Sequence, residues 1–143
     1  MSRALLDVNL LLALLDPAHS GHEKAQNWFS TIADDGWATC PITQNGYIRI
    51  ASQPAYTNPV SLPEAIDILS DFTTQAAHRF WPSTGSLVDQ SFCDAKRLPS
   101  HRHVTDSYLL ALARLNNGCL ATLDRRLFTG AVPDGTRHLV VIE

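Results

Sequence analysis

Short apolar runs alternate along the chain with longer segments in which apolar residues recur at helical spacing. The short runs are predicted to be strands, at 3–6, 37–40, 79–81, 119–123 and 138–142. The segments with helical spacing are predicted to be helices, at 8–15, 25–33, 43–51, 65–76 and 105–116, with a shorter one at 86–93.

Strands that alternate with helices indicate a parallel sheet, because parallel neighbours need a crossover connection that is usually a helix. Such crossovers cover both faces of the sheet. The sequence therefore predicts an α/β fold of three layers, a Rossmann-like arrangement with a central parallel five-stranded sheet flanked by helices. No repeat or linker divides the chain, and 1–143 is predicted to form one domain.

Residues typical of helix ends support these boundaries. Segments 20–23 and 61–64 both have the serine–glutamate spacing of a capping box. Thr105 is predicted to cap the last helix. Asp16 should end the first helix, because the following Pro17 disfavours helical geometry in the residue before it.

Composition constrains function only weakly. The net charge is −3, with 11 Lys and Arg against 14 Asp and Glu, so bulk charge does not indicate a nucleic-acid partner. Any contact with RNA must then depend on a local group of basic residues, most of which are arginines. The cysteines Cys40, Cys93 and Cys119 are widely spaced, unlike zinc ligands, and are expected to be free thiols.

The N-terminal region resembles a signal peptide only superficially. Asp7 and Asn9 interrupt its apolar run, and no small-residue cleavage site follows. No stretch approaches the roughly 18 apolar residues of a membrane span. The protein is expected to be soluble and cytoplasmic, with no membrane partner.

Three aspartates lie where strand-like runs give way to helix-like segments: Asp7, Asp106 and Asp124. The carboxyl ends of parallel strands meet at one edge of a sheet, which is where ligands bind in open α/β sheets. Crowded carboxylates repel one another, and a hard divalent cation such as Mg²⁺ or Mn²⁺ relieves that repulsion. The pattern predicts metal-dependent phosphodiester chemistry.

Four segments in this order resemble a PIN domain, specifically the VapC-type ribonuclease toxins of bacterial toxin–antitoxin pairs. They are LLDVN at 5–9, TQNGYIRI at 43–50, HVTDSYL at 103–109 and ATLDRRLF at 121–128. The resemblance implies an endoribonuclease that uses Mg²⁺ (or Mn²⁺), acts on RNA and is inhibited by a small VapB-like antitoxin protein. It also implies a homodimer, and it makes Asp7, Asp106 and Asp124 the metal-site acids.

One position departs from the family pattern. Where the family often has a glutamate early in its third helix, this chain has Gln44. Its amide oxygen can coordinate a cation or hold a water, but it adds no charge. Gln44 is retained as a catalytic candidate, and an underligated site with weak metal affinity is expected.

Five further residues are candidates for binding RNA. Asn9 could orient Asp7 or a water, and arginines in or beside the matched segments could hold phosphates on either side of the scissile bond. These arginines are Arg49, Arg102, Arg125 and Arg126.

Other interpretations of the same residues remain open at this point. Each of the three aspartates could simply stabilise the start of a helix. His101 and His103 could bind a transition metal, although solvent-facing or capping roles are more common. The alternative functions are a PIN-like binding module with weakened catalysis and a phosphate-handling α/β domain of the receiver or phosphatase type.

Overall fold

The five predicted strands form one parallel sheet in the computed structural model, which describes residues 2–143. Their order across the sheet is β3-β2-β1-β4-β5. The bounds are Ala4–Leu6 for β1, Trp37–Thr39 for β2, His78–Phe80 for β3, Cys119–Thr122 for β4 and Leu139–Val141 for β5. Strands β2 and β3 are added in sequence on one side of β1, and β4 and β5 are added on the other side. The order reverses at β1, so the topological switch point lies between β1 and β4.

Helices cover both faces of this sheet, as predicted. Their bounds are Val8–Leu15 for α1, His22–Ile32 for α2, Pro41–Ala51 for α3, Leu62–Phe72 for α4 and Val104–Leu115 for α5. Short 3₁₀ helices occupy Ala95–Arg97, His101–His103 and Gly135–His138. Within the described part of the chain, no helix is long and apolar enough to cross a membrane.

Alternation along the strands divides the core into two layers. Leu5 and Leu120 pack with α5 on one face of the sheet. Leu6 and Ala121, one residue further along, pack with α1 on the other face. Because side chains alternate across a strand, Asp7 belongs on the same face as Leu5, the face that α5 covers.

Most predicted elements differ from the structure by a few residues at their ends, and two of the differences have clear consequences. The predicted helix at 86–93 is wrong: the segment consists of turns, one of which Asp89 stabilises by accepting hydrogen bonds from the Ser91 N–H and hydroxyl groups. Strand β3 lies one residue earlier than predicted. Phe80 is 50% exposed, while Trp81, directly after the strand, is buried.

The capping predictions had mixed outcomes. Ser61 caps α4 as predicted, since its hydroxyl accepts the Glu64 N–H at 3.2 Å. The capping box at Ser20 is wrong, because α2 begins after Gly21, which has no side-chain cap. Thr105 does not cap α5 either. A 3₁₀ turn runs directly into α5 and places Thr105 inside the first turn of the helix.

Ser61 caps a helix and Ser20 does not, so replacing them should have different effects on the free energy of unfolding. Ser61→Ala should lower the free energy of unfolding by about 1 kcal/mol, because it removes a formed N-cap. Ser20→Ala is the matched control and should change stability by less than about 0.5 kcal/mol. Urea unfolding of both variants checks this, and an equal loss for the two would contradict the capping assignment.

Candidate active site

Asp7 lies at the carboxyl end of the central strand β1 and serves as the N-cap of α1. One carboxylate oxygen accepts the N–H of Val8, the first residue of α1, at 2.8 Å. The other accepts the Thr122 hydroxyl at 2.7 Å. The side chain is 6% exposed. Asp7 therefore caps a helix and also presents a buried carboxylate at the switch point.

Thr122, the last residue of β4, is the centre of this hydrogen-bond network. Its hydroxyl oxygen accepts the Asn9 amide N–H and the Asp124 backbone N–H, both at 3.1 Å, while its proton is donated to Asp7. The side chain is fully buried. The sequence favours local backbone bonding for this residue over contact with phosphate or a metal-bound water, and its long-range bonds to Asp7 and Asn9 were not expected. The available signal was its position two residues before Asp124, on the strand face that Asp7 also occupies.

Asn9 completes the connection between α1 and the end of β4. Its side-chain oxygen accepts the Leu123 N–H at 3.1 Å, and its amide nitrogen donates to Thr122. The oxygen and the nitrogen of the Asn9 amide thus both form hydrogen bonds with the segment that leads to Asp124. These bonds support a role for Asn9 in orienting the acidic residues.

Asp106 comes from a helix and not from a strand end. It lies in the first turn of α5, the helix that covers the Leu5 face of the sheet. Burial raises the pKa of Asp106 to about 6, and the Asp7 and Asp124 charges act in the same direction. The structure thus brings the three predicted carboxylates into electrostatic contact.

Asp124 lies in the turn that follows β4. Its carboxylate accepts the Arg126 backbone N–H at 2.9 Å, which holds the side chain within the turn. The Asp124 charge also acts on Asp7. Burial raises the pKa of Asp7 above its usual range, opposed by the hydrogen bonds from Thr122 and Val8, and the Asp124 charge raises it further.

Gln44 lies in α3 near the end of the neighbouring strand β2. Its amide nitrogen donates to the Thr39 hydroxyl at 3.0 Å, and that hydroxyl also bonds the His78 ring at 2.7 Å. In residues 2–143, no hydrogen bond joins Gln44 to any of the three aspartates. A catalytic role for Gln44 stays a prediction.

The predicted arginines occupy two different regions. Arg102 precedes α5, and Arg125 and Arg126 follow Asp124; all three are exposed beside the acidic residues in sequence. Arg49 lies in the last turn of α3, about 12 Å along the helix axis from its start at Pro41. It borders Ile48 and Leu62, so the structure does not bring it to the other three.

The three carboxylates provide ligands of the type that a hard cation prefers, although they do not form a complete coordination site. Carboxylate oxygens are the ligands that Mg²⁺ and Mn²⁺ prefer. Among the described residues, no three His, Cys, Asp or Glu side chains stand close enough together to form a ready-made metal site. That finding does not support the transition-metal alternative for His101 and His103. The Asp124 charge raises the pKa of Asp7, and the Asp7 and Asp124 charges raise that of Asp106, which provides an electrostatic reason for a cation.

Comparisons with known proteins agree with this architecture. The PIN domain family model matches residues 4–131. Ribonuclease VapC44 of Mycobacterium tuberculosis is 48% identical over 141 residues, which cover 98% of this chain and 99% of the relative. Ribonuclease VapC39 of the same organism is 43% identical over 129 residues, covering 90% and 93%.

A solved structure resembles the fold at much lower sequence identity. The crystal structure of Mycobacterium tuberculosis VapC20, described as a toxin that cleaves the sarcin-ricin loop, superimposes with a TM-score of 0.63 at 12% identity. The match covers 92% of this chain and 97% of VapC20. Family model, relatives and fold agree, and the chain belongs to the PIN domain family, among the VapC-type proteins.

Proposed function

We propose that this chain is a Mg²⁺- or Mn²⁺-dependent endoribonuclease and the toxin of a type II toxin–antitoxin pair. The observation that carries the proposal is the grouping of Asp7, Asp106 and Asp124 near the topological switch point, where the Asp124 charge acts on Asp7 and both of these charges act on Asp106. A helix-capping role alone does not require the three charges to act on one another. The names of the relatives support ribonuclease activity and a VapC-type toxin.

Asp7, Asp106 and Asp124 would hold the cation. When bound there, a hard divalent cation would supply a lowered pKa for an attacking water and would neutralise charge on the leaving oxygen. Water attack in line with that oxygen leaves a 5′-phosphate and a 3′-hydroxyl, and it needs no nucleophilic side chain. Mg²⁺ commonly keeps several waters and takes only one or two carboxylates together with substrate phosphates. The open donor set is consistent with that mode of binding.

The remaining residues position the acids and the RNA. Thr122 donates a hydrogen bond to one Asp7 oxygen and so holds it in place. Asn9, in α1, accepts the Leu123 N–H and so connects α1 to the turn that carries Asp124. Arg102 and Arg126 are exposed near the acids in sequence and are proposed to contact phosphates. Arg125 shares this proposal. Arg49 is retained as a candidate only for a distant part of the substrate.

The proposed partners follow from the family. RNA is the substrate, and a VapB-like antitoxin is the inhibitor, in agreement with the VapC names of the relatives. A homodimer and a cytoplasmic location are proposed on the same basis. The match to the PIN model over 4–131 does not favour a receiver-type or phosphatase-type domain.

Removal of metal tests the enzyme against a binding module. Incubation with a panel of structured and single-stranded RNAs should give cleavage in Mg²⁺ or Mn²⁺ and none in EDTA, with activity restored by excess Mn²⁺. Sequencing of the product ends should show 5′-phosphates. Cleavage that persists in EDTA would contradict the metal dependence, and a lack of cleavage under every metal condition would favour the binding module.

A further inference from the structure

A second hydrogen-bond network lies at the same edge of the sheet as the acidic residues. The Thr39 hydroxyl bonds the Gln44 amide nitrogen at 3.0 Å and the Nε2 atom of the His78 ring at 2.7 Å. Thr39 is the last residue of β2 and is fully buried, as Thr122 is at the end of β4. Neither Thr39 nor His78 takes part in the chemistry proposed above.

The state of the His78 ring determines where the Thr39 proton points. Burial lowers the pKa of His78, so the ring is neutral near neutral pH and carries a single N–H. A hydrogen bond to the Thr73 backbone acts on this pKa in the opposite direction, as an N–H donated to a carbonyl oxygen does. Because Nε2 bonds Thr39, that N–H is the one on Nδ1. Nε2 therefore accepts the Thr39 proton.

The Thr39 hydroxyl then requires a donor from position 44. Its only proton is donated to His78, so its oxygen must accept from the residue on the other side. The Gln44 amide nitrogen provides that N–H, and a glutamate carboxylate could not. The amide is thus held by its nitrogen and its oxygen is left free. Within residues 2–143 this oxygen accepts no hydrogen bond, and it is not among the buried polar atoms that lack a partner, so it opens to solvent.

The start of α3 brings Gln44 to the acidic residues. The pairing of β1 with β2 places Asp7 level with Cys40, the N-cap of α3. Further along this helix, a Cβ atom at Gly46 would lie 2.6 Å from Cγ2 of Val8, the residue directly after Asp7. Gln44 lies between these two points of α3. Its amide is therefore beside the end of β1 that carries Asp7.

We propose, building on the metal-dependent function above, that Thr39 and His78 are positioning residues that hold the Gln44 amide with its oxygen toward the cation bound by the three aspartates. The oxygen acts there as a neutral ligand, and carbonyl oxygens suit Mg²⁺ and Mn²⁺. The network also gives a physical reason for an amide at this position. Gln44→Glu would place a carboxylate against a hydroxyl oxygen whose proton is already donated to His78.

Calorimetric titration of the full chain with Mn²⁺ at neutral pH tests the positioning role. Thr39→Val removes the hydroxyl at nearly constant size, and Gln44→Leu removes the amide. Each should weaken Mn²⁺ binding by about tenfold, the low end for loss of a residue that supports a metal ligand. The double variant should bind no more weakly than the weaker single variant, because both changes act through one oxygen. Thr39→Ser, which keeps the hydroxyl, should bind like the wild type.

Gln75→Leu is the matched control. The exposed Gln75 amide also donates through its nitrogen, to the Phe72 carbonyl oxygen, but it precedes β3 and lies at the opposite edge of the sheet. This variant should bind Mn²⁺ like the wild type.

A second cycle leaves Thr39 intact and so does not depend on the folding of a core variant. His78→Phe keeps a ring beside Trp37, whose ring centroid is 4.8 Å from that of His78, but removes the acceptor of the Thr39 proton. That proton can then be donated to a carboxylate at position 44. Gln44→Glu should therefore improve Mn²⁺ affinity at least about threefold more in the His78→Phe background than in the native one.

Unchanged Mn²⁺ affinity in Thr39→Val and Gln44→Leu would overturn the positioning role. Fully additive losses in their double variant would do so too, because Thr39 would then act only through the fold, as would an equal effect of Gln44→Glu with and without His78. These results leave the aspartate site itself standing, since Asp106→Asn tests that site separately. Failure of the wild type to bind Mn²⁺ would overturn both this inference and the proposed metal dependence.

Discussion

Asp7→Asn should reduce RNA turnover by more than about a hundredfold. Replacement of residues that only support metal ligands already costs about 10- to 100-fold, and Asp7 is proposed to be a ligand. The fold should survive, because asparagine is as good an N-cap as aspartate and its oxygen can still accept the Val8 N–H. Single-turnover cleavage together with far-UV circular dichroism makes the measurement.

Asp71→Asn is the control for this variant. Asp71 is exposed near the end of α4, which precedes β3 and therefore ends at the opposite edge of the sheet. It should cleave like the wild type. If Asp7→Asn also cleaves like the wild type while remaining folded, Asp7 is only a helix cap and the assignment of the active site is wrong.

Asp106→Asn should raise the melting temperature of the metal-free protein at pH 7 to 8. The pKa of Asp106 is about 6 in the folded protein, and that of an unfolded aspartate is about 3.9. A carboxyl whose pKa is raised by folding contributes stability that is fully present below the unfolded pKa and is lost as the pH rises through the folded pKa. The ionised Asp106 therefore destabilises the metal-free fold above about pH 6.

The expected gain, allowing for solvent screening, is on the order of 1 kcal/mol, or about 3 °C for a chain of this length. It should disappear near pH 4, where wild-type Asp106 is protonated. Saturating Mg²⁺ should stabilise the wild type by mass action and stabilise Asp106→Asn less. A helix-capping role predicts the reverse at pH 7, because loss of a first-turn negative charge weakens the helix by a few tenths of a kcal/mol. Thermal melts in EDTA and in Mg²⁺ across pH 4 to 8 distinguish the two.

The sequence could locate acidic residues of the site because their position depends mainly on where they lie in the chain relative to the strand ends. An aspartate at or just beyond the end of a buried strand must lie at the carboxyl edge once the sheet is parallel. Asp7 directly follows β1, and Asp124 lies two residues after β4. For Asp106, which follows a 3₁₀ turn and not a strand, the resemblance to the PIN family supplied the placement beside the other carboxylates. Its position in the first turn of α5 is otherwise typical of a favourable helix-end charge.

Features that depend on three-dimensional register could not be predicted in this way. Thr122 has a common residue type, and its central role arises only because β4 pairs with β1 and places its hydroxyl against Asp7. The bond from the Gln44 amide nitrogen to the Thr39 hydroxyl likewise depends on how α3 packs beside β2, and a catalytic role for the Gln44 amide oxygen stays a prediction. The orientation of a long side chain depends on neighbours that one sequence does not reveal.

Two helix predictions were wrong for a related reason. Ser20 has the spacing of a capping box, but the His19 ring accepts the Gly21 N–H and the helix begins one residue later. The segment 86–93 has a helical pattern of apolar residues over too short a length. Side-chain bonds from Asp89 favour turns there instead.

Direct titration with Mn²⁺ tests the central claim that Asp7, Asp106 and Asp124 form one metal site. Calorimetry should show Mn²⁺ binding to the wild type and to Asp71→Asn with equal affinity. Asp106→Asn and Asp124→Asn, which come from different segments, should each weaken it by at least about tenfold. If either variant binds Mn²⁺ as tightly as the wild type, that carboxylate does not bind the metal and the three residues do not form one site.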